Sequence, residues 1–229
     1  MPAIPSGVAG INDVAGFLGN SAAAKPRTVR PSEILQFRQT CAGRISVKAL
    51  IVIDVQNGVY AFEDNEVFGG PALIAAINRL IASARAAGSP VVFVQHEDEW
   101  LHAGSHEWEL VKDLDSRGDT DIHVTKRHGS AFHDTPLAGT LRRLGVAEVV
   151  LCGLQTELCV DSTLRHAAAL NFDVSLAGDA HSTFDTGTLT APQIIEHHNR
   201  TLANYARVVP AGAIAFTADA PNSIEQRPS

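Results

Sequence analysis

The stretch "ALIVIDV", Ala49–Val55, decides the fold class of this 229-residue chain. Apart from Asp54, it is an unbroken run of apolar and mostly β-branched residues, which is typical of a strand buried on both faces. Such strands belong to parallel sheets, because helices cover both faces of a parallel sheet. The run therefore predicts an α/β fold from the first regular element of the chain.

The residues beyond this stretch alternate between helix and strand patterns. After Pro71, apolar residues recur at helical spacing as far as Gly88, a natural helix stop. In the helix predicted over 134–145, Thr135 is the expected cap and Pro136 the first residue. Further helices are predicted at about 157–170 and 190–205, and further strands at 90–95, 121–126, 147–153, 172–180 and 206–211. This alternation predicts a parallel sheet with helices on both faces.

The two ends of the chain differ from this pattern. Residues 1–46 are interrupted by Gly and Pro, and only the short segment after Ser32 has the pattern of a capped helix. We interpret 1–46 as an N-terminal extension that is partly disordered or packed as a surface arm. The predicted domain spans 47–216, and 217–229 is predicted to be a loose C-terminal tail.

Composition excludes several classes of protein. The net charge of −7 argues against nucleic-acid binding, and the one basic cluster, Arg142 and Arg143, fits the last turn of a helix. No apolar run approaches the length of a membrane span, and the N-terminus does not have the pattern of a secretory signal. Three cysteines do not make a disulfide framework. We therefore expect a reduced, cytoplasmic protein with no nucleic-acid or membrane partner.

Candidate functional residues follow the predicted strands, because ligands bind at the carboxyl ends of the strands in open parallel sheets. Asp54 ends the first strand, Lys126 ends the third, and Cys159 follows the fourth. A lone strand-end Asp or Lys is usually a loop or solvated residue. Together, however, a thiol, a carboxylate and a cation on one sheet edge suit acyl transfer.

The two cysteines of the segment "LCGLQTELCVDSTLRHAAAL" (151–170) have different positions. Cys152 lies inside an apolar strand and is predicted to be core packing. If Thr156 caps the following helix, Cys159 lies in its first turn, where the helix dipole and unpaired N–H groups favour a thiolate. The alternative is that Cys159 is a small buried apolar residue.

Three segments together resemble the isochorismatase-like cysteine hydrolases. These segments are "ALIVIDVQN" (49–57), "VTKRHGSAF" (124–132) and "VVLCGLQTELCVDSTLRHA" (149–167), and the resemblance extends over about 47–210. It implies a six-stranded, mostly parallel sheet in a Rossmann-like three-layer arrangement. It also implies a catalytic triad of Asp54, Lys126 and Cys159. Later segments are similar to a bacterial subgroup near the streptothricin hydrolases.

The resemblance further implies how the triad would act. Asp54 would take the thiol proton while Cys159 attacks an amide carbonyl, and Lys126 would keep Asp54 ionised. The backbone N–H groups of Gln155 and Cys159 would bind the oxyanion. The peptide bond Leu154–Gln155 is expected to be cis, as it often is in this family.

No metal or other cofactor is expected. Nicotinamidases of the family hold a metal with Asp and His residues, whereas the matching segment "YAFEDNEVFGG" (60–70) has acids, Glu63, Asp64 and Glu66, but no His. His102 and His106 are four residues apart, but a glycine lies between them and they do not match a zinc-protease motif.

The predicted function is cleavage of a C–N bond in a small non-peptide amide or ureido substrate. Alternatives are hydrolysis of an isochorismate-type vinyl ether, and an inert binding or assembly protein with the same fold. We expect a homodimer or homotetramer, as is usual in the family. The candidate substrate-binding residues, for each of which loop packing is an equal alternative, are Gln56, His96, Trp108, Phe132 and His181.

Overall fold

A parallel sheet of six strands organises the described part of the chain. The computed structural model describes residues 47–62, 65–116 and 120–216. The strands of the sheet are β1 (Val47–Ile53), β4 (Val91–His96), β5 (Ile122–Lys126), β6 (Val146–Leu154), β7 (Asp173–Ser182) and β8 (Arg207–Val209). Their order is β5-β4-β1-β6-β7-β8, and every neighbouring pair is parallel. The predicted six-stranded parallel sheet is confirmed.

Helices cover both faces of this sheet. They are α1 (Asn57–Tyr60), α2 (Gly70–Ala86), α3 (Leu137–Arg143), α4 (Asp161–Ala169) and α5 (Ala191–Leu202). Because successive side chains of a strand point to opposite faces, β1 contributes to two cores. Leu50 and Val52 pack in the core with α2, whereas Ile51 and Ile53 pack in the core with α3 and α4. The three-layer α/β architecture is therefore confirmed, and it explains why β1 has no polar side.

The helix ends agree with the predictions at one position and differ at another. Gly88 follows α2 with φ of 68°, as expected for a residue that ends a helix. α3 begins at Leu137 with Pro136 as its N-cap, one residue later than predicted, although the Thr135 hydroxyl accepts a hydrogen bond of 3.4 Å from the N–H of Leu137. The same hydroxyl donates to the carbonyl of Ala131, so it links the preceding loop to the start of α3.

A small hairpin after β1 was not predicted. Strand β2 (Ala61–Phe62) pairs antiparallel with β3 (Asn65–Glu66). Two-residue strands are too short to show an alternating pattern, so no sequence pattern predicts them. The hairpin lies between β1 and α2.

Several predictions concern residues outside the described ranges. These are the extension 1–46 with its short helix after Ser32, the tail 217–229, and the acids Glu63 and Asp64. Within the described ranges, every helix is too short or too polar to cross a membrane.

Candidate active site

Three strand ends bring the predicted triad together at the carboxyl edge of the sheet. Asp54 follows β1, Lys126 is the last residue of β5, and Cys159 lies in the turn after β6. Asp54 has a φ of 51°, a left-handed conformation that is uncommon for a residue other than glycine. Such conformations are concentrated at functional sites, where the surrounding structure enforces them. Asp54 and Lys126 are both almost completely buried.

The Lys126 ammonium group is the centre of the cluster. Its Nζ lies 2.7 Å from Oδ2 of Asp54 and 3.2 Å from Sγ of Cys159. A third acceptor, Nδ1 of His96, lies 3.0 Å away. An ammonium group has three N–H donors, so each of them has an acceptor here. This bonding holds the carboxylate and the sulfur beside each other around one cation, with their ligand atoms within 4.8 Å of one another.

The contact between His96 and Lys126 was not predicted, since His96 was expected to bind substrate. His96 is the residue of β4 that pairs in register with Lys126 of β5. Burial, together with the charge of Lys126, lowers the pKa of His96. A neutral ring that accepts from Lys126 at Nδ1 carries its proton on Nε2, which lies 3.3 Å from Oδ2 of Asp98. The adjacent register of β4 and β5 is the signal that could have found this contact.

Electrostatics at Cys159 differ from the sequence-based expectation. Burial and the nearby charge of Asp54 raise the pKa of Cys159 to about 12, although Lys126 opposes the shift. This direction opposes the thiolate that a helix start favours, because the thiol is desolvated and faces a carboxylate. Burial also raises the pKa of Asp54, while the charge and hydrogen bond of Lys126 lower it. Both shifts leave the proton on the thiol at rest and make Asp54 a stronger base.

A metal ion does not fit at the centre of this cluster. Ligand atoms of Asp54, His96 and Cys159 all lie within 4.8 Å of one another, a spacing that three metal ligands could have. The Lys126 ammonium, however, contacts all three of these groups. It therefore occupies the place that a cation would need, and it supplies the positive charge itself.

The turn after β6 positions Cys159 differently from a simple helix start. A single π-helical turn, Thr156–Val160, precedes α4, and its N-cap is Gln155 rather than the predicted Thr156. The Gln155 carbonyl accepts hydrogen bonds from the N–H groups of Leu158 and Val160, at 3.2 and 3.1 Å. π-Helical turns are often found at functional sites. The peptide bond Leu154–Gln155 is cis, as the resemblance implied.

Close packing beneath this turn requires a glycine. Gly153 has a φ of 116°, and a Cβ there would lie 2.1 Å from the carbonyl oxygen of Ile53. The last residues of β1 and β6 can therefore approach each other only because Gly153 has no side chain. Asp54 follows β1 and the Cys159 turn follows β6. Because the two strand ends lie close together, these two parts of the site are neighbours.

Two of the predicted substrate-binding residues use their polar atoms within the protein. Gln56 is fully buried, and its amide donates to the carbonyls of His96 and Trp108 and accepts from the N–H of His96. His181 is buried, with Nδ1 2.8 Å from Thr156 Oγ1 and Nε2 2.9 Å from Asn199 Oδ1. These contacts leave neither ring nitrogen of His181 for a substrate. The prediction for His181 is corrected to a structural role that supports the Cys159 turn.

Phe132 and Trp108 differ from each other in their surroundings. Phe132 is buried in the core and stacks on Phe172 at 5.8 Å between ring centroids, so its predicted substrate contact is corrected to packing. The indole Nε1 of Trp108 is buried without a hydrogen-bond partner among the described residues. The prediction for Trp108 stays open, since a buried unpaired donor is costly unless something binds it.

Glu157 is a candidate that the sequence analysis missed. It lies two residues before Cys159, and its Oε1 accepts a hydrogen bond of 2.8 Å from the Thr183 hydroxyl. Its Oε2 is buried and has no partner within the described ranges, and the same holds for Oδ1 of Asp54. A glutamate next to a candidate nucleophile, in the first turn of a helix, was a signal available in the sequence. These acceptors suit a ligand that carries N–H groups.

A cleft of about 600 Å³ lies beside the cluster rather than at its centre. Its walls include an aromatic pair, Phe62 and Trp100, with ring centroids 6.4 Å apart. Asp98, which pairs with His96, also lines it. Asp98 contacts His96, and His96 contacts Lys126, so two side chains link the wall of the cleft to the cluster.

Comparison with known proteins identifies the relatives of this chain. The isochorismatase domain family matches residues 48–212. The streptothricin hydrolase of Streptomyces noursei is 31% identical over 190 residues, which cover 78% of this chain and 75% of that protein. The ureidoacrylate amidohydrolase RutB of Serratia proteamaculans is 33% identical over 172 residues, covering 58% and 69%. A crystal structure of an isochorismatase family protein superposes with a TM-score of 0.68 at 36% identity, covering 71% of this chain and 97% of that one.

Proposed function

Since this chain belongs to the isochorismatase family of hydrolases, we propose that it cleaves a C–N bond in a small non-peptide amide or ureido compound. Cys159 is the nucleophile, Asp54 the base and Lys126 the cation that orients them. The observation that carries this proposal is the bridging position of Lys126, 2.7 Å from the carboxylate and 3.2 Å from the sulfur. The relatives named streptothricin hydrolase and ureidoacrylate amidohydrolase support hydrolysis of amides.

The first chemical step forms a thioester. As Cys159 Sγ attacks the substrate carbonyl, its proton moves to Asp54, whose raised pKa makes it a suitable acceptor. Since the pKa of Cys159 is raised to about 12, the proton leaves during the attack rather than before it. Lys126 stabilises the negative charge while that charge moves from the Asp54 carboxylate to the Cys159 sulfur and then to the substrate oxygen.

Collapse of the tetrahedral intermediate releases the nitrogen. The backbone N–H groups of Gln155 and Cys159 bind the oxyanion, where the turn after β6 begins the helix. Asp54 returns its proton to the leaving nitrogen, so that a neutral amine or ammonia departs. Asp54 then takes a proton from the water that attacks the thioester, and it returns this proton to Cys159 Sγ as the C–S bond breaks, which releases the acid and restores the thiol and the carboxylate. The protein provides all the groups that this reaction needs.

Substrate recognition rests on the buried polar atoms that lack partners. The Trp108 Nε1 donor and the Glu157 Oε2 acceptor suit a compound with both carbonyl and N–H groups, such as an amide or a urea. An aromatic or apolar part of the substrate would fill the cleft beside Phe62 and Trp100.

Mass spectrometry with a panel of small amides and ureido compounds tests the proposal. The intact protein should gain the acyl mass on Cys159 during turnover, and Cys159→Ala should release no amine or ammonia while keeping its fold. Lys126→Met should lose turnover to a similar extent, since removing one residue of a group that acts as a unit removes most of the group's effect on the rate. The matched control is Cys152→Ala, which changes a buried cysteine of β6 and should keep turnover. Amine release by Cys159→Ala at the wild-type rate would contradict the proposal.

A further inference from the structure

A second cluster of metal-ligating side chains lies in the loop after β5, outside the candidate active site. Nε2 of His128 and Nε2 of His133 each lie 3.6 Å from the same carboxylate oxygen, Oδ2 of Asp134. The ligand atoms of the three residues all lie within 4.8 Å of one another. The sequence analysis did not find this cluster, because ligands five and six residues apart in a loop match no metal motif.

From this convergence we propose that His128, His133 and Asp134 form a binding site for a divalent transition-metal ion such as Zn²⁺. Two imidazoles and one carboxylate are a ligand set that zinc accepts, with water in the remaining position. Bonds of about 2.0–2.2 Å in tetrahedral geometry put neighbouring ligand atoms about 3.3–3.5 Å apart. The two nitrogen–oxygen distances of 3.6 Å are already close to that value.

Hydrogen bonds tie the backbone of this loop to α4 and leave the ligand side chains exposed. Between the two histidines, Ser130 Oγ lies 2.9 Å from Nδ1 of His166, and the N–H of Ala131 donates to Thr163 Oγ1 at 3.0 Å. Both contacts tie the loop to α4, so the loop backbone between the ligands is fixed before an ion binds. This pre-organisation reduces the entropy cost of binding.

The side chains that bind the ion remain free to adjust. The imidazole of His128 is 47% exposed, that of His133 55%, and the Asp134 carboxylate 79%. The two rings are stacked with centroids 4.0 Å apart. They must therefore rotate out of their parallel arrangement to direct both lone pairs at one ion, which exposed side chains can do. Arg127, next to the loop, pairs with Glu97 and does not compete for the carboxylate.

Titration calorimetry with Zn²⁺ alone tests the site. The full chain would carry Cys41→Ser and Cys159→Ser, so that thiols do not compete for zinc. We expect one ion per chain with a dissociation constant below about 100 μM. His128→Ala and His133→Ala should each weaken binding by at least about tenfold, whereas His102→Ala, an exposed control, should not. Binding that is absent, or unchanged without His128 and His133, would overturn the proposal.

A chemical footprint provides a second readout that needs no variant. Diethyl pyrocarbonate modifies exposed histidines, and the modified positions are read by mass spectrometry of peptides. Zn²⁺ should protect His128 and His133 of the wild-type chain and leave His102 reactive. Equal protection of all three histidines, or protection of none, contradicts the site.

Discussion

The pKa of the Cys159 thiol depends on its burial and on two opposite charges, those of Asp54 and Lys126. Because Asp54 raises the pKa of Cys159 and Lys126 lowers it, Asp54→Asn should lower that pKa. The thiolate fraction at a given pH then increases, and iodoacetamide should label Cys159 faster in the variant between pH 7 and 9. Turnover should nevertheless fall by about 10³-fold or more, since the base is lost.

The control for this prediction removes the same charge far from the site. Asp173 begins β7 and is exposed at the opposite edge of the sheet, so Asp173→Asn should change neither labelling nor turnover. Labelling followed by peptide mass spectrometry separates Cys159 from the buried Cys152. Slower labelling of Cys159 in Asp54→Asn would mean that the carboxylate activates the resting thiol, contrary to the pKa shifts.

Sequence reasoning could place the residues of the site but not their protonation. Asp54 and Lys126 end parallel strands, and the carboxyl ends of parallel strands lie at one edge of the sheet regardless of loop conformation. The protonation of Cys159 depends on desolvation and on the balance of two opposite charges, and these follow from packing over long separations in the chain. The same holds for His181, whose position after a strand predicted a pocket residue although its ring is enclosed by Thr156 and Asn199.

At the scale of elements, the close pairing of β1 and β6 at their carboxyl ends depends on one glycine. In Gly153→Ala, the added Cβ would meet the Ile53 carbonyl oxygen at 2.1 Å, at a φ of 116° that alanine rarely adopts. We expect the free energy of unfolding to fall by at least about 3 kcal/mol. Urea denaturation followed by circular dichroism measures the change.

Gly187→Ala is the matched control for this strand substitution. Nothing lies within 4 Å of a Cβ built at Gly187, so the free energy of unfolding should change by less than about 0.5 kcal/mol. Equal stability of the two variants would show that β1 and β6 can separate at little cost, and that Gly153 does not hold Asp54 near the Cys159 turn.

Elements with regular periodicity were predictable, whereas irregular ones were not. The buried run of β1 and the apolar spacing of α2 identified their type, because each pattern extends over several residues. The π-helical turn Thr156–Val160 has no such pattern, since it depends on how the chain leaves β6. The start of α3 at Leu137 likewise depends on the Thr135 hydrogen bond within the preceding loop.

At the scale of the whole molecule, exposed aromatic side chains indicate where copies of the chain would associate. Trp100 is 75% exposed and Phe62 50%, and their rings contact each other beside the cleft. Aromatic residues are enriched in the buried centres of protein interfaces and rarely exposed in pairs. We therefore expect the predicted homodimer or homotetramer to use this surface.

Sedimentation velocity over a range of protein concentrations measures this association. The wild-type chain should sediment as a dimer or tetramer, and Trp100→Glu should raise the dissociation constant by at least about tenfold, because a buried carboxylate without a partner is costly to desolvate. Leu144→Glu is the control, since Leu144 is also exposed, at 45%, but follows α3, just before β6 begins. A wild-type monomer would contradict the assembly, and dissociation by Leu144→Glu alone would move the interface to the amino ends of the strands. Because the same aromatic pair lines the cleft, an interface there would also help to close the site around its substrate.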